Sequence, residues 1–166
     1  MAEKDLLIKE KLEHAGLFSF DDLYSYAYNW FKDEGYGVTE EKYSEKHSGS
    51  SKDITVEWKC KKQLSDYFAM ELGVKFEILG LTEVEVEFDG KKKKTNKGRA
   101  IIEVKGALIK DPDSAWDESP GWKFMRDVYN KYVIPGRVDT MEDKAKGDTR
   151  DFKEKLKTFL ESTGRR

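Results

Sequence analysis

Four consecutive lysines, Lys91–Lys94, are the residues whose type and spacing come closest to a functional signature in this sequence. They follow an Asp89-Gly90 pair in the stretch FDGKKKKTNKGR. Clustered cations can neutralise the phosphates of a nucleic acid, contact a membrane surface or contact an acidic protein. The Asp-Gly pair favours a two-residue type I′ turn, which would place the lysines on the returning strand of a β-hairpin.

The turn assigns each lysine to one residue of the preceding strand: Lys91 to Phe88, Lys92 to Glu87, Lys93 to Val86 and Lys94 to Glu85. Two lysines therefore lie opposite glutamates, and such cross-strand pairs contribute about 0.2–1 kcal/mol each. Residues 83–99 hold four acidic and six basic side chains, a local net charge of only +2. The pattern favours a solvated hairpin tip. Contact with an acidic protein or a membrane surface and weak nucleic-acid binding through Lys91–Arg99 are the alternatives.

Aromatic side chains near the ends of predicted elements are the second feature that indicates a partner. Tyr24 and Tyr28 are one helical turn apart and lie off the main apolar stripe of their helix, and Tyr36 and Tyr43 follow. Tyrosine and tryptophan are common anchors of protein interfaces. The alternative for the tyrosines is packing against a preceding helix. The predicted partner-binding residues are Tyr24, Tyr28, Trp116, Trp122, Lys91, Lys92, Lys93 and Lys94.

The residue types that catalyse reactions or bind metals are scattered along the chain. Cys60 falls on the apolar side of a predicted strand, where a thiol is buried and inert. His14 and His47 lie on different predicted elements, without the clustered cysteines and histidines of a zinc site. Ser19 precedes two acidic residues, a pattern typical of a helix N-cap. The sequence therefore predicts no catalytic residue, no metal site and no cofactor.

Two groups of carboxylates could bind cations or transfer protons. Asp111–Gly121 is rich in aspartate but lacks the central glycine and final glutamate of an EF-hand, so it is predicted to be a loop, with weak divalent-cation binding as the alternative. Glu57, Glu71 and Glu77 are predicted to lie among lysines on the exposed face of a sheet. Acid–base catalysis needs burial to shift a pKa, so this exposed face predicts no enzyme.

Composition excludes several classes of protein. The chain of 166 residues has a formal net charge of −2, whereas a dedicated nucleic-acid-binding domain is usually strongly basic. One cysteine cannot form an intramolecular disulfide, which favours a reducing compartment. The N-terminal residues lack the apolar core of a signal peptide, and no apolar run approaches the roughly 20 residues of a membrane span. We expect a cytoplasmic protein without a membrane span.

The elements that would position these residues begin with two helical patterns. Lys4–His14 carries a short apolar stripe and is expected to form a helix. After Ser19, apolar side chains recur at helical spacing through Phe31, and Gly35 is expected to end this second helix.

Helical patterns return in the C-terminal third of the sequence. Ser119-Pro120 favours a helix start, because proline suits the first helical position. The last pattern covers Val138–Leu160, as one helix or as two that break near Gly147-Asp148. The break is considered because glycine costs roughly 1 kcal/mol relative to alanine inside a helix.

Between the helical patterns, apolar residues alternate with a period of two, which predicts five or six strands. Residues 67–78 and 83–88 are predicted to be separate strands. The expected core positions of the strands are Ile54, Val56, Trp58, Met70, Val74, Phe76, Val84 and Val86. Short connections favour an antiparallel meander with one face covered by N- and C-terminal helices. The prediction is a single α+β domain over residues 1–166.

The run LGLTEVEVEFDGKKKKTNKGRAIIEVKG, followed by GWKFMRDVYNKYVI, resembles small uncharacterised archaeal proteins of similar length and organisation. The resemblance covers most of the chain. It implies a compact intracellular archaeal domain and transfers no functional residue.

These observations favour a non-enzymatic binding or adaptor domain that contacts another macromolecule, and the expected partner is a protein. Nucleic acid is not expected to be the partner, because the lysines are few and partly paired. The main alternative is a carrier of a hydrophobic small ligand, with a pocket between the sheet and the C-terminal helices. That pocket would be lined by large apolar side chains: Trp58, Phe68, Met70, Phe76 and Trp122.

Overall fold

The computed structural model of the protein describes residues 3–65, 68–110 and 135–164. Within these residues the chain forms β1 Glu3–Phe18, α1 Phe20–Asp33, β2 Gly37–Ser48, β3 Ser51–Gln63, β4 Phe68–Phe88, β5 Lys91–Lys110 and α2 Pro135–Gly164. The strands make one antiparallel sheet in the order β1-β5-β4-β3-β2. The predicted α+β fold class is therefore confirmed.

The strands form where apolar side chains alternate along the chain. In β3, Ile54, Val56, Trp58 and Cys60 are buried, and the residues between them are more exposed. The central strands repeat this pattern with Phe68, Met70, Leu72, Val74, Phe76 and Ile78 in β4 and with Ala100, Ile102, Val104 and Leu108 in β5. These side chains share one core with buried residues of α1 and α2, as expected for a sheet with one face covered by helices.

The helix predicted over Lys4–His14 is wrong, because these residues belong to β1. The strand pairs with β5 over its whole length, and its register shifts between Leu6 and Ile8. That irregularity leaves Leu6 60 % exposed, while Leu7 packs against the core and Leu12 is buried in it. A β-bulge can reproduce the spacing of a helical stripe because it interrupts the period of two. Pairing with β5 then decides the local structure.

The two strands predicted over residues 67–78 and 83–88 form one continuous strand, β4, over Phe68–Phe88. Gly80 has a φ of +61°, and the pairing with β5 shifts register between Leu79 and Thr82. Glycine adopts this left-handed conformation without strain, so the strand bends without ending. Beyond the bend, Val84 and Val86 are half-buried. Their predicted place in the core is wrong.

The helix predicted after Ser19 is confirmed as α1. The Ser19 hydroxyl accepts a hydrogen bond of 3.3 Å from the backbone N–H of Asp22, which satisfies a free donor at the helix start. The helix buries Phe20, Leu23, Ala27 and Phe31. It ends just before Gly35, which has a φ of +85°.

The C-terminal pattern forms one helix, α2, that continues through Gly147. Asp148 does not start a second helix there; its carboxylate accepts a 2.7 Å hydrogen bond from the Tyr36 hydroxyl. Ala145 and Phe152, on either side of Gly147, are fully buried. Their packing offsets the cost of glycine in a helix. Neither helix in the described residues is both long and apolar enough to cross a membrane.

Helix α2 reaches the sheet closely at Gly106 of β5. A Cβ added to Gly106 would overlap the hydroxyl oxygen of Thr149 and lie 3.0 Å from Cγ2 of Ile8. The Thr149 side chain cannot turn away freely, because it is fully buried and donates a 2.8 Å hydrogen bond to the carbonyl of Ala145. The absence of a side chain at Gly106 therefore sets the distance between α2 and the sheet.

We expect Gly106→Ala to destabilise the fold by about 1–3 kcal/mol, because overpacking forces neighbouring atoms apart. The matched control is Gly73→Ala in β4, where an added Cβ has nothing within 4 Å. Urea unfolding followed by circular dichroism measures both. Adding Thr149→Ala to Gly106→Ala should recover part of the loss. Equal free energies of unfolding for the two single glycine variants would contradict the close approach.

Candidate functional site

An open groove of about 330 Å³ lies between the first half of α1 and strand β2. Its lining consists of Phe20, Asp21, Tyr24, Ser25 and Tyr43. Three of these five side chains are aromatic, and none is basic. The groove therefore combines apolar ring surface with a carboxylate, both open to solvent.

Helical spacing places Phe20 and Tyr24 one turn apart on α1, with ring centroids 6.1 Å apart. Phe20 is largely buried, whereas Tyr24 is half-buried and meets the ring of Trp58 edge-on at 5.0 Å. Tyr43 comes from β2, which lies at the edge of the described sheet and pairs there with β3 alone. This edge position leaves Tyr43 47 % exposed.

Glu40 of β2 holds the side chain of Tyr24, which lines the groove. Its Oε1 atom accepts a 2.8 Å hydrogen bond from the Tyr24 hydroxyl and a 3.4 Å hydrogen bond from the Trp58 indole N–H. Burial, together with the hydrogen bond to Glu40, raises the pKa of Tyr24 above its usual value. Tyr24 therefore keeps its proton and its orientation through the physiological pH range.

Carboxylates converge on Tyr43 from both elements of the groove. The Tyr43 hydroxyl donates a 2.8 Å hydrogen bond to Oε1 of Glu45. Partial burial and this bond, with the charges of Asp21 and Glu40, raise the pKa of Tyr43 to about 12. Asp21 is exposed in the first turn of α1, and its carboxylate has no ion pair or hydrogen bond among the described residues. Three carboxylates therefore lie close enough to Tyr43 to act on its hydroxyl.

Tyr28, also predicted to bind a partner, lies one turn beyond the groove lining. Its ring centroid is 6.2 Å from that of Trp58, and the ammonium group of Lys32 lies 5.4 Å from its ring. Packing of the tyrosines against a preceding helix is wrong, since that segment is a strand. Tyr24 and Tyr28 both contact Trp58 of the sheet instead.

The hairpin register predicted for the four lysines is confirmed, with Lys92 opposite Glu87 and Lys94 opposite Glu85. Asp89 and Gly90 have φ values of 54° and 77°, as a type I′ turn requires. Pairing of β3 with β4 ends at Thr82, and pairing of β1 with β5 ends at Phe18 opposite Asn96. Residues 83–95 therefore project as a two-stranded arm that no other described strand flanks.

The four lysines of the arm are divided between its two faces. Lys94 lies 3.8 Å from Glu83, and both side chains are well exposed. Lys91 and Lys93 lie opposite Phe88 and Val86, on the other face of the hairpin. Alternation thus divides the four lysines into two that face glutamates and two that do not.

The sheet face away from the core is covered by paired charges. Lys59 lies 3.2 Å from Glu41 and 3.9 Å from Glu71, and Lys75 lies 3.1 Å from Glu77. Glu71 is only 7 % exposed, so its predicted exposure is wrong. Lys4 of β1 forms an ion pair with it from the other side. The two lysines neutralise the buried charge.

Cys60 is buried, as predicted from its place on the apolar face of β3. Burial, with a smaller effect of Glu71, raises the pKa of the thiol to about 12. The two histidines lie apart: His14 contacts the carbonyl of Leu17, and His47 contacts Glu45. The described residues contain no group of three potential metal ligands.

Trp116, Trp122, the acidic segment Asp111–Gly121 and the helix predicted from Ser119-Pro120 lie outside the described residues. The structure thus brings Tyr24 into the groove, places Tyr28 beside it and places Lys91–Lys94 on the arm.

No known family model matches the chain, and no curated protein matches it either. The resemblance to uncharacterised archaeal proteins stays a prediction.

The sequence indicated only part of this groove. Tyr24 is one of the predicted partner-binding residues, and Tyr43 is one of the aromatic residues that indicate an interface. The sequence singles out neither Phe20, Asp21 nor Glu40 for binding. The signal for Tyr43 is its isolation: it is the one large aromatic residue in the polar strand GVTEEKYSEKHS. Its convergence with α1 depends on the path of the chain between the two elements, which the local pattern does not specify.

We expect the Cys60 thiol to be unreactive in the folded protein. With a pKa of about 12, roughly one thiol in ten thousand is ionised at pH 8, and the thiolate is the reactive form. Ellman's reagent at pH 8 should therefore release almost no colour from native protein and one equivalent per chain in urea. Rapid reaction of the native protein would contradict the burial.

We also expect no useful affinity of the arm for nucleic acid. Counterion release contributes about 0.9 in log–log salt slope per phosphate contact on duplex DNA, and the arm offers few unpaired cations. Fluorescence anisotropy in a salt titration with duplex DNA, single-stranded DNA and structured RNA measures this. Micromolar binding at about 150 mM salt, abolished when Lys91–Lys94 are replaced by serine, would reverse the prediction. The serine variant should keep its melting temperature, because surface substitutions change stability little.

Proposed function

We propose that this protein is a non-enzymatic binding module that docks another protein in the groove between α1 and β2. The observation that carries the proposal is Tyr43, which stands 47 % exposed on an edge strand beside the rings of Phe20 and Tyr24. A single exposed aromatic residue is ordinary on a protein surface, but rings that converge on a groove are typical of interfaces. Tyrosine suits this role because its ring is large and loses little conformational freedom on binding.

The ionisable groups of the groove suit binding better than catalysis. A catalytic acid or base needs a pKa near the pH at which the protein works. The pKa values of Tyr24 and Tyr43 are instead raised above the usual value for tyrosine. Their hydroxyls donate hydrogen bonds to Glu40 and Glu45, which holds the rings in place. Aromatic rings that are already held in place lose little conformational entropy on binding, which favours affinity.

Docking by side chains fits β2 better than the addition of a backbone strand. The register of β2 with β3 shifts between Glu40 and Lys42, and a bulge of this kind opposes pairing at an edge. The strand is also rich in charged residues, which have the same effect. The partner would therefore contact the groove between β2 and α1 rather than extend the sheet.

The packing of the core weighs against a carrier of a hydrophobic ligand. A cavity large enough for a ligand would give its lining side chains accessible surface. Trp58, Phe68, Met70 and Phe76 were expected to line such a pocket, and each is at most 2 % exposed. A reducing, cytoplasmic location remains part of our proposal, because the single cysteine is buried as a free thiol.

Photo-cross-linking tests the docking surface. A benzophenone amino acid at position 43 replaces one aromatic ring with another, and the same group at Ser44 is the matched control. Neighbouring residues of a strand point to opposite faces, so only position 43 is directed at the groove. We expect discrete protein adducts from position 43 in lysate of the source cells, and none of these from position 44.

Competition makes the result specific. Excess unlabelled protein should suppress the position-43 adducts, and excess Tyr43→Ser protein should not, provided circular dichroism shows that this variant is folded. Identical adducts from positions 43 and 44, no adducts at all, or equal competition by the Tyr43→Ser protein would each overturn the proposed docking surface.

A further inference from the structure

The groove has the chemistry of a cation site. Aromatic ring faces carry partial negative charge and attract ammonium and guanidinium groups within about 6 Å. Carboxylates lie near these rings: Asp21 in the lining, Glu40 at the Tyr24 hydroxyl and Glu45 at the Tyr43 hydroxyl. The five residues that line the groove include no lysine or arginine.

Two other tyrosines, Tyr28 and Tyr36, make cation–π contacts with lysines of the same chain. The ammonium of Lys32 lies 5.4 Å from the Tyr28 ring, and that of Lys62 lies 5.7 Å from the Tyr36 ring. Within the described residues, neither Tyr24 nor Tyr43 has such a cation from its own chain. The two tyrosines of the groove therefore offer ring surface that a cation from another molecule can occupy.

The carboxylates differ in how far their charge is already neutralised. Glu45 has His47 at 3.2 Å and Lys52 at 3.7 Å. Among the described residues, Glu40 accepts hydrogen bonds from neutral donors alone, and Asp21 has neither an ion pair nor a hydrogen bond. Covering Asp21 with an apolar segment would remove water from an unpaired charge, which is unfavourable. A cationic side chain would instead replace that water with an ion pair.

We infer that the groove binds an arginine side chain presented by the partner protein. The guanidinium group is planar, so it can stack on the Tyr43 ring and donate hydrogen bonds to the Asp21 carboxylate at the same time. Its aliphatic stem would lie along the rings of Phe20 and Tyr24. This inference rests on the proposed docking function, and it specifies the chemistry of the residue that docks.

Peptide titration followed by ¹⁵N–¹H NMR tests the inference without knowledge of the partner. Two short Gly/Ser peptides are compared, one with a central arginine and one with citrulline, which has the same shape without the charge. We expect the arginine peptide to shift the amide signals of Asp21, Tyr24 and Tyr43, with a Kd of about 1–10 mM, as suits one side chain. The citrulline peptide should produce no saturable shift at the same concentrations.

Two neighbouring acids of α1 provide a matched pair of variants. Asp21→Asn should weaken binding of the arginine peptide about threefold to fivefold, because it removes one exposed charge beside the cation. Asp22→Asn is the control: it removes a charge from the same helical turn, but Asp22 does not line the groove. Equal effects of the two substitutions would indicate attraction to the general field of the helix and would overturn the site.

The outcomes separate this inference from the proposed function. If position-43 adducts form and are competed normally, but Asp21→Asn protein competes as well as wild type, the docking surface stands and the arginine site is wrong. Equal shifts from the arginine and citrulline peptides would also overturn the arginine site. If no adducts form from position 43, the docking surface itself is wrong, whatever the peptide titrations show.

Discussion

The core and the groove both depend on the contacts that the indole of Trp58 makes. Its ring centroid lies 5.0 Å from that of Phe76 in the sheet and 5.0 Å from that of Tyr24 in α1. Its N–H donates to Glu40, which also holds the Tyr24 hydroxyl. One buried side chain therefore joins the helix, the central sheet and the edge strand. A change in its position would move Tyr24, which lines the groove, so the proposed docking would depend on the packing of Trp58.

The edge position of β2 gives the groove its access and also limits its form. An unpaired edge invites other strands to add to it, and charged residues and bulges are common defences. Here the register shift between Glu40 and Lys42 and the charges around it oppose strand addition. Side chains such as Tyr43 remain exposed all the same. The features that protect the edge thus favour side-chain contacts over strand addition for the partner that we propose.

How much of this the sequence predicts depends on whether a signal is local. The alternation around Trp58 and the Asp89-Gly90 turn define their surroundings within a few residues, and the buried face and the hairpin register are confirmed. The segment Lys4–His14 was mistaken for a helix, because a bulge near Leu7 disguises its strand period and β5 supplies its pairing. The groove cannot be predicted from a local sequence pattern, because Tyr43 meets α1 only after the chain has turned back into β2.

The near-neutral net charge of the chain conceals an uneven local pairing of charges. Four carboxylates away from the groove each have two cationic neighbours: Glu71 has Lys4 and Lys59, Glu103 has Lys9 and Lys105, Glu13 has Lys11 and Arg99, and Glu10 has Lys153 and Arg150. Other carboxylates, such as Glu57 and Asp33, have no ion pair among the described residues. Asp21 and Glu40 have no such neighbour among the described residues. Charges on a surface are screened over about 8 Å at physiological salt, so a partner at the proposed docking surface would respond to the local charges and not to the net charge of the chain. A composition that argues against a polyanion partner is therefore compatible with a discrete cation site.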